Sequence, residues 1–197
     1  SMVTDQDDQP VHYVSQIEDI TERKELQELV LHQATHDELT GLPNRRLLYD
    51  RLAQIMAQSR RYDRLMALMF VDIDHFKNVN DSYGHDVGDQ VLCEVATRLR
   101  RCVRVSDTLA RQGGDEFVVV LSEIHSASDV ERVAQAMLDA VNSPLVLRNI
   151  ELRMTLSIGI SIFDPKSEDS HEALLKKADD ALYKVKNGGR NAFHISA

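Results

Sequence analysis

The pattern Arg111-Gln112-Gly113-Gly114-Asp115-Glu116-Phe117 leads directly into the apolar run Val118-Val119-Val120-Leu121. The residues before the glycines, Thr108 to Arg111, also have the pattern of a strand. A Gly-Gly pair between two such runs predicts a β-hairpin, because the turns of tight hairpins need positive φ angles that glycine adopts at low cost. Asp115 and Glu116 then lie at the tip of the hairpin, just before a strand with a fully buried pattern. On their own, two acids on such a turn are best interpreted as solvated surface residues.

A second acidic strand end lies upstream, in the clearest strand of the sequence, Leu65 to Asp74. Its continuous apolar run predicts burial on both faces and a central position in a sheet. Asp72 and Asp74 end this strand on the same face, because side chains in a strand alternate with a period of two. Two like charges there are costly unless a cation lies between them or water reaches them. The pair indicates a metal site, and solvated loop acids are the alternative for either residue alone.

The two acidic strand ends meet if the hairpin pairs beside the 65–74 strand, since neighbouring strands lie about 4.8 Å apart. A cluster of carboxylate oxygens, without cysteine and with no histidine at metal-ligand spacing, favours Mg²⁺ or Mn²⁺ over zinc. Such cations serve phosphoryl and nucleotidyl transfer, where they activate a hydroxyl and stabilise charge on the phosphorus oxygens. Lys77, Lys186 and Arg190 are basic residues of the kind that bind phosphate. The residues alone therefore indicate a divalent metal and a phosphate ester, without a P-loop motif.

The composition is that of one globular domain, with 197 residues, of which 43% are hydrophobic and 28% charged. The net charge of −9 argues against nonspecific binding of nucleic acid or of acidic lipid, which needs a basic surface. No segment has the length and apolarity of a transmembrane helix, and no signal peptide is recognisable. The two cysteines, Cys93 and Cys102, are too far apart on one predicted helix to form a disulfide. Free thiols are typical of a cytoplasmic location.

The N-terminal residues predict an appendage to this domain. Ser1-Met2 has the form of a cloning remnant, so we expect an excised piece of a longer protein. Residues 3–10 are polar and acidic and predict disorder. Residues 11–17 predict one short strand without a partner nearby, which we expect to belong to a domain further upstream.

A helix is predicted over residues 20–34, with Asp19 as its candidate N-cap. Its apolar stripe consists of Leu26, Leu29 and Val30. This stripe fits a short coiled coil and a solvated connector helix equally well. The segment Asp19-Ile20-Thr21-Glu22-Arg23-Lys24 resembles the end of a PAS sensory domain, where the last strand passes into a signalling helix. The resemblance implies that residues 1–19 are the tail of an upstream PAS domain and that residues 20–34 are a signalling helix.

Helices and strands alternate along the rest of the chain. Apolar periodicity predicts helices over about residues 45–59, 91–104, 127–142 and 174–187. Strands are predicted over residues 145–150, 152–163 and 192–195. Such alternation around one apolar sheet predicts an α/β or α+β fold with helices on the faces of the sheet.

The run Gly113-Gly114-Asp115-Glu116-Phe117 is the signature of the GGDEF family of diguanylate cyclases. Four more motifs resemble those of the family, in the same order and at similar spacing. They are Asp37-x-Leu-Thr-Gly-Leu-Pro-Asn44, Asp72-Ile-Asp-x-Phe-Lys77, Asn80-Asp-x-x-Gly-His85-x-x-Gly-Asp89 and Ala178-Asp-x-Ala-Leu-Tyr-x-x-Lys186-x-x-x-Arg190-Asn191. The sequence is therefore identified as a member of the GGDEF family, with residues 35–197 as the diguanylate cyclase domain.

The resemblance implies a mostly antiparallel, five-stranded central sheet flanked by helices, similar to the ferredoxin-like catalytic core of nucleotidyl cyclases. It implies condensation of two GTP molecules into cyclic di-GMP with release of pyrophosphate, by metal-assisted attack of a 3′-hydroxyl on an α-phosphate. Each protomer would bind one GTP, and two protomers would face each other in a homodimer. The cofactor would be Mg²⁺ or Mn²⁺, with two ions per GTP.

The resemblance also implies roles for the acids by their motif positions. Asp72 and Asp115 would bind Mg²⁺ through their side chains, and Ile73 would contribute its carbonyl oxygen. Asp115 would also accept the proton of the 3′-hydroxyl. Glu116 is a rival for that proton, and the sequence does not separate the two.

A second set of residues is implied for the substrate. Asn80 and Asp89 would hydrogen-bond the guanine edge, because an amide and a carboxylate suit its mixed donors and acceptors. His85 is expected beside them. The residues expected near the phosphates are Phe76, Lys77, Lys186 and Arg190.

Arg104 and Asp107 lie shortly before Gly113, where the family has its inhibitory site for the product. An arginine there can hold a phosphate or a guanine through two hydrogen bonds. The alternative is an ordinary surface ion pair between these two residues.

The leading prediction is a diguanylate cyclase that is regulated by a PAS sensor through the 20–34 helix and inhibited by its product. The alternative is a catalytically silent receptor for GTP or cyclic di-GMP, although the intact acids at positions 72, 115 and 116 argue against it. A purely structural dimerisation domain gives no reason for the acidic strand ends. Neither nucleic acid nor direct membrane contact is expected.

Overall fold

The computed structural model describes residues 2–4, 10–13, 19–147 and 150–196. Contacts divide the chain into two compact units, Ser1–Ala34 and Thr35–Ala197. No helix in these described ranges is both long enough and apolar enough to cross a membrane. Cys93 and Cys102 are both free thiols, as predicted.

The first unit contains a two-stranded antiparallel sheet and a helix. Strand β1 (Met2–Thr4) pairs with strand β2 (Pro10–Tyr13). The prediction of an unpartnered strand over residues 11–17 is therefore wrong in its described part, because the partner strand precedes it. Likewise, Val3 and Thr4 of β1 and Pro10 of β2 are in strands, although residues 3–10 were predicted to be disordered. Residues 5–9 and 14–17, which belong to these two predictions, lie outside the described residues.

Helix α1 (Thr21–Thr35) begins where the sequence predicts a helix start. The side chain of Asp19 accepts a hydrogen bond from the backbone N–H of Thr21 at 2.9 Å, which satisfies one of the free donors at a helix start. The predicted apolar stripe is present on the helix, but its three side chains are each more than half exposed; they are Leu26, Leu29 and Val30. The helix therefore carries an apolar stripe that is open to solvent.

The second unit alternates helices and strands. Its elements are α2 (Arg45–Tyr62), β3 (Leu65–Ile73), α3 (Phe76–Tyr83), α4 (His85–Cys102), β4 (Thr108–Gly113), β5 (Glu116–Ile124), α5 (Ala127–Asn142), β6 (Leu145–Leu147), β7 (Ile150–Leu152), β8 (Leu156–Phe163), α6 (His171–Asn187) and β9 (Ala192–Ser196). The central sheet has the strand order β4-β5-β3-β8-β9. Strand β9 runs parallel to β8, and the other three neighbouring pairs are antiparallel. The predicted five-stranded, mostly antiparallel sheet is confirmed.

Strand β3 lies at the centre of the sheet, and its alternating side chains serve two hydrophobic cores. Ala67, Met69 and Val71 pack into the core that includes buried residues of α4 and α5. Met66, Leu68 and Phe70 pack into the core that includes buried residues of α2 and α6. The sheet is therefore covered by helices on both faces, which explains the uninterrupted apolar pattern of this strand.

Several boundaries differ from the predictions. The polar segment after β3 forms a complete helix, α3, and α4 begins at His85 rather than near residue 91. Gly84, with φ of 83°, separates the two helices. The strand predicted over residues 145–150 is instead a short separate hairpin, formed by β6 and β7. Strand β8 begins at Leu156 rather than at residue 152.

The hairpin of β4 and β5 has the predicted turn. Gly113 and Gly114 have φ angles of 151° and 54°, which only glycine adopts without strain. Strand β5 pairs with β3, and this pairing places Glu116 directly across from Asp72. The prediction that the hairpin lies beside the 65–74 strand is therefore confirmed.

Helix α6 lies unusually close to the backbone of β8. A Cβ atom at Gly159 would be 2.2 Å from the carbonyl oxygen of Ala178 and 2.2 Å from the amide nitrogen of Leu182. Any side chain at this position of β8 would push the helix away from the sheet. The glycine therefore sets the distance between α6 and the sheet.

Candidate active site at the ends of β3 and β5

The acids of the two strand ends lie together, on neighbouring strands. Asp72 is only 7% exposed although it is the second-last residue of β3. Because directly paired residues of neighbouring strands share a face, the side chains of Asp72 and Glu116 lie on the same side of the sheet. Asp115, in the turn before β5, is half-buried and close enough to repel the charge of Asp72. Ile73 follows Asp72 as the buried last residue of β3.

A lysine from the end of α6 reaches into this cluster. The Nζ atom of Lys186 donates a hydrogen bond to Oδ2 of Asp72 at 2.6 Å, although the two residues are far apart in the sequence. The sequence predicted Lys186 near phosphates, and the structure brings it against a predicted metal ligand. The carboxylate of Asp72, at the acidic end of β3, is therefore already paired with the positive charge of a lysine.

Burial raises the pKa of Asp72 above its ordinary value, because a desolvated carboxylate loses the hydration of its charge. The hydrogen bond and charge of Lys186 oppose this effect, and repulsion from Asp115 and Asp74 adds to it. The balance remains on the side of a raised pKa. The ionised form of Asp72 is therefore disfavoured even with Lys186 in place.

Asp72→Asn is expected to raise the melting temperature of the metal-free protein by about 2–4 °C at neutral pH. Because the pKa of Asp72 is raised in the folded state, its ionised form costs stability, and this cost appears as the pH rises above the ordinary aspartate value. The gain from the substitution should accordingly shrink as the pH falls toward 4. Thermal unfolding in chelator at several pH values measures this. Asp81→Asn, at an exposed acid of α3, is the control, and a lower melting temperature for Asp72→Asn at neutral pH would contradict the prediction.

The donor set fits a divalent cation that is bound together with a nucleotide. The described residues contain no group of three or more His, Cys, Asp or Glu side chains arranged to hold a metal by themselves. Mg²⁺ needs no such group, since it is usually held by one or two carboxylates and completes its shell with water and substrate phosphates. The carboxylates of Asp72 and Asp115 and the carbonyl of Ile73 are hard oxygen donors of this kind.

Asp74 does not share the environment of Asp72. Its two oxygens accept hydrogen bonds from Thr155 Oγ1 and Ser157 Oγ, both at 2.6 Å, and from the backbone N–H of Asn191 at 3.1 Å. The sequence interpretation paired Asp74 with Asp72 around one metal. The structure instead uses the carboxylate of Asp74 to join β8 and the loop after α6 to the end of β3.

The predicted guanine-binding residues lie on two consecutive helices. Asn80 is on α3 and Asp89 is on α4, and these helices pack together. Gly88 lies under the side chain of Asn80, because a Cβ atom at position 88 would be 1.9 Å from Oδ1 of Asn80. His85 begins α4 and is exposed. The sequence motif contained this glycine, but without the helix packing nothing indicated what it contacts.

Phe76 and Lys77 begin α3, directly after β3. His75 forms the helix start with φ of 58°, a left-handed conformation that turns the chain sharply at this point. Phe76 is buried, whereas Lys77 is exposed. The exposed lysine therefore follows the acidic strand end within a few residues, as expected for a group that meets phosphate there.

Arg111 ties the hairpin turn to the loop that follows α1, and sequence reasoning gave it no role. Its Nη1 donates to both oxygens of Asp37 at 2.9 Å, and its Nε and Nη2 donate to the carbonyl of Gly114 at 3.0 and 2.8 Å. The backbone N–H of Arg111 also donates to the carbonyl of Pro43 at 3.0 Å. Arg111 therefore holds the Gly-Gly turn, and with it Asp115, in a defined position.

Asp37 is held by several donors. Burial alone would raise the pKa of Asp37, but hydrogen bonds from Thr40 and Arg111, with the charge of Arg111, outweigh that effect and lower it. The hydroxyl of Thr40 donates to Oδ1 at 2.6 Å, and its backbone N–H donates to the same atom at 2.9 Å. This carboxylate is accordingly ionised and fully engaged at neutral pH.

The proposed product site has a buried aspartate and an exposed arginine. Asp107 is 6% exposed, and its carboxylate accepts hydrogen bonds from the backbone N–H groups of Arg104 at 2.9 Å and Ser122 at 3.1 Å. In the described part of the chain, the guanidinium of Arg104 forms no ion pair with Asp107. The alternative of an ordinary surface ion pair is therefore wrong, because Asp107 stabilises the turn while the side chain of Arg104 stays exposed.

The five-stranded sheet, the Gly-Gly hairpin and the cluster of acids and Lys186 at the end of its central strand have the arrangement expected of a cyclase-like catalytic domain. A family model described as "Diguanylate cyclase, GGDEF domain" matches residues 34–192. The chain belongs to this family.

The chain is similar to several curated proteins. It is 43% identical to the bifunctional diguanylate cyclase/cyclic di-GMP phosphodiesterase MucR of Pseudomonas aeruginosa, over 83% of this chain and 24% of MucR. It is 39% identical to the diguanylate cyclase TpbB of the same species, over 84% of this chain and 38% of TpbB. The cyclic di-GMP phosphodiesterase PdeR of Escherichia coli is 37% identical over 90% of this chain and 26% of PdeR. The chain thus spans less than half the length of these relatives.

Solved structures have the same fold. The GGDEF domain of TpbB from Pseudomonas aeruginosa matches with a TM-score of 0.79 and 37% identity, covering 82% of this chain and 94% of that domain. The coiled coil and GGDEF domain of DgcB from Caulobacter crescentus, in complex with cyclic di-GMP, matches with a TM-score of 0.83 and 33% identity. That match covers 89% of this chain and 93% of the DgcB chain.

Proposed function

We propose that this protein is a diguanylate cyclase, which condenses two GTP molecules into cyclic di-GMP and releases two pyrophosphates. The observation that carries the proposal is the cluster at the end of β3, where buried Asp72 lies opposite Glu116 and close to Asp115, with Lys186 bonded to it. Such a cluster suits a reaction in which negative charge develops on phosphate oxygens. The names of the relatives MucR and TpbB support the same activity.

In this proposal, Asp72 and Asp115 hold Mg²⁺ or Mn²⁺ through their carboxylates, and Ile73 contributes its carbonyl. When bound, two such ions per GTP polarise the phosphate oxygens and lower the pKa of the attacking hydroxyl. In the complex with GTP, the ammonium group of Lys186 leaves Asp72 and binds the phosphate chain instead. The bond from the 3′-oxygen to the α-phosphorus forms as the bond to pyrophosphate breaks.

Asp115 is the proposed acceptor of the 3′-hydroxyl proton. Its half-buried position in the turn, which Arg111 holds, favours a defined geometry for proton transfer. Glu116 is the rival acceptor, because it lies directly opposite Asp72 but is exposed. The acid that accepts the proton should lose more activity than its neighbour when each is replaced by its amide.

The guanine base is proposed to bind between α3 and α4, with Asn80, Asp89 and His85 as its polar contacts. The amide of Asn80 offers both donors and acceptors to the base. The phosphates are proposed to bind where α3 begins and α6 ends. The residues there are Phe76, Lys77, Lys186 and Arg190.

Gly88→Ala is expected to raise the KM for GTP about tenfold with a smaller change in kcat. The added methyl group would overlap Oδ1 of Asn80, whose side chain must then leave its position toward the base. Steady-state kinetics with GTP and with ITP, which lacks the 2-amino group of guanine, measures the loss of affinity and of discrimination.

The matched test is the same substitution in the Asn80→Ala background, where the overlapping amide is absent and only the milder contact with Cζ of Phe76, at 3.3 Å, remains. Gly88→Ala should there change the KM less than twofold. Thr97→Ala, at an exposed position of the same helix, controls for effects on α4 itself. An equal tenfold effect with and without Asn80 would contradict the role of Gly88.

Catalysis in this proposal needs two copies of the chain, since each provides one GTP site and the two substrates must face each other. Residues 1–19 are proposed as the tail of a PAS sensor and residues 20–34 as the signalling helix that controls this meeting. The exposed apolar stripe of α1 suits such a role. Arg104 and Asp107 are proposed as the site at which cyclic di-GMP inhibits the enzyme.

The decisive experiment incubates the protein with GTP and Mg²⁺ and measures cyclic di-GMP by chromatography, over a wide range of protein concentration. Activity should rise faster than linearly with concentration, because a dimer is the active form. Added cyclic di-GMP should lower the rate, and Arg104→Ala should relieve that inhibition. Strictly linear activity would contradict the need for two copies.

The alternative function is a receptor for GTP or cyclic di-GMP without turnover. The relative PdeR, named as a cyclic di-GMP phosphodiesterase, is the observation that keeps this alternative in view. Binding of GTP without any product at high protein concentration would establish the receptor and overturn the cyclase.

A further inference from the structure

The loop after α6 has an unusual backbone. Three consecutive residues, Gly189, Arg190 and Asn191, have positive φ angles of 115°, 64° and 46°. The left-handed region costs a residue with a side chain of the order of 1 kcal/mol, so two such residues in succession need an external constraint. Arg190 is one of these two residues, and its place depends on how the loop is held.

Asp74 supplies this constraint. It is 3% exposed, and its Oδ2 accepts a hydrogen bond from the backbone N–H of Asn191 at 3.1 Å. The Nε atom of Arg190 lies 3.9 Å from its Oδ1. The hydroxyls of Thr155 and Ser157, both at 2.6 Å, fix the carboxylate from the side of β8. A buried carboxylate is stable only with such partners, so the position of the Asp74 side chain is well defined.

The terminal nitrogens of Arg190 are left available by this contact. Within the described ranges they have no hydrogen-bond partner, and the side chain is 41% exposed. Lys186, from the last turn of the same helix, lies on Asp72, which is two residues before Asp74 in the chain. Two aspartates at the end of β3 therefore contact the two basic residues near the end of α6. Asp72 contacts Lys186, and Asp74 contacts Arg190.

We propose that Asp74 is a positioning residue, which holds the left-handed loop so that Arg190 and Lys186 together grip the β- and γ-phosphates of the nucleotide. It acts through Arg190 and the backbone of the loop, and it does not bind the metal. The inference rests on the proposed function in one respect, namely that the ligand of this site is a nucleoside triphosphate. Its specific consequence is that Asp74 affects the triphosphate part of the ligand and not the guanosine part.

The test compares the affinity of the wild type and of Asp74→Asn for two ligands, a non-hydrolysable GTP analogue with Mg²⁺ and GMP, by titration calorimetry. Asp74→Asn should weaken binding of the GTP analogue about tenfold and leave the affinity for GMP within twofold. In the Arg190→Ala background, the substitution at position 74 should cause no further loss. Equal weakening of both ligands, an unchanged affinity for the analogue, or additive effects with Arg190→Ala would each overturn the proposal.

A second variant keeps the test decisive if Asp74→Asn does not fold. Thr155→Val retains the charge of Asp74 and removes one of its orienting hydroxyls, so it should weaken the GTP analogue about threefold with no effect on GMP. Asp81→Asn is the matched control and should change neither affinity. Because binding is measured without turnover, a protein that binds the analogue but forms no product would overturn the cyclase and leave the role of Asp74 standing. Absence of binding of the analogue to the wild type would overturn both.

Discussion

Asp115→Asn is expected to lower the rate of cyclic di-GMP formation about a thousandfold or more, which makes position 115 the most sensitive of the chain. The substitution removes a proposed metal ligand and the proposed proton acceptor at once, while the amide preserves the size of the side chain. Because Asp115 lies in the turn rather than in a core, the melting temperature should change by less than about 2 °C. Product formation from GTP and Mg²⁺, followed by chromatography, measures the loss.

Glu116→Gln is the matched comparison, since it changes the neighbouring acid in the same way. If Asp115 accepts the proton, Glu116→Gln should retain more activity than Asp115→Asn at every pH. The reverse order would assign the proton to Glu116. Full activity of Asp115→Asn would contradict the cyclase mechanism proposed for this site.

Arg111→Ala is expected to cost about 2 kcal/mol of stability and to lower activity by about 10–100-fold. The substitution leaves the largely buried carboxylate of Asp37 without its guanidinium partner and frees the carbonyl of Gly114. The Gly-Gly turn then loses the contact that holds Asp115 in place. Thermal unfolding and the rate of product formation measure the two effects on the same samples.

Arg111→Lys separates charge from geometry, because lysine keeps the charge but lacks the planar fork with which arginine bonds Asp37 and Gly114 through separate nitrogens. It should fall between the wild type and Arg111→Ala in both measurements. The pKa of Asp37 is lowered in the folded state, so the stabilisation by its partners is present above the ordinary aspartate pKa and is lost as the pH falls through the lowered value. The stability difference between wild type and Arg111→Ala should therefore shrink at acid pH, and a constant difference would contradict this account.

The sheet was predictable from the sequence because its signals are local. The apolar run of β3 and the Gly-Gly turn each determine their own structure, and the pairing of β5 with β3 followed from them. Helix α3 was missed for a physical reason. It has only eight residues and buries only two side chains, Phe76 and Val79, so its apolar pattern covers too few positions to identify a helix, and packing against α4 stabilises it.

The candidate site was predictable only in its acidic part. Asp72 and Asp115 follow from strand ends, but the lysine bonded to Asp72 comes from residue 186, and no local pattern indicates that contact. The sequence also did not indicate that Asp72 and Asp74 have different hydrogen-bond partners. The partners of Asp74 lie at the start of β8 and after α6, more than 80 residues away, and strand alternation alone places both acids on one face.

The close contact at Gly159 has a consequence for how such a protein can be controlled. The backbone of α6 rests directly on β8 at Gly159, so sliding the helix along the sheet would bring that backbone against the side chains of β8. The distances between the basic end of α6 and the acids of β3 are thus fixed by packing, and a signal does not easily change them. In the proposed two-copy enzyme, an upstream signal would therefore act on one variable, the frequency with which two complete half-sites meet face to face.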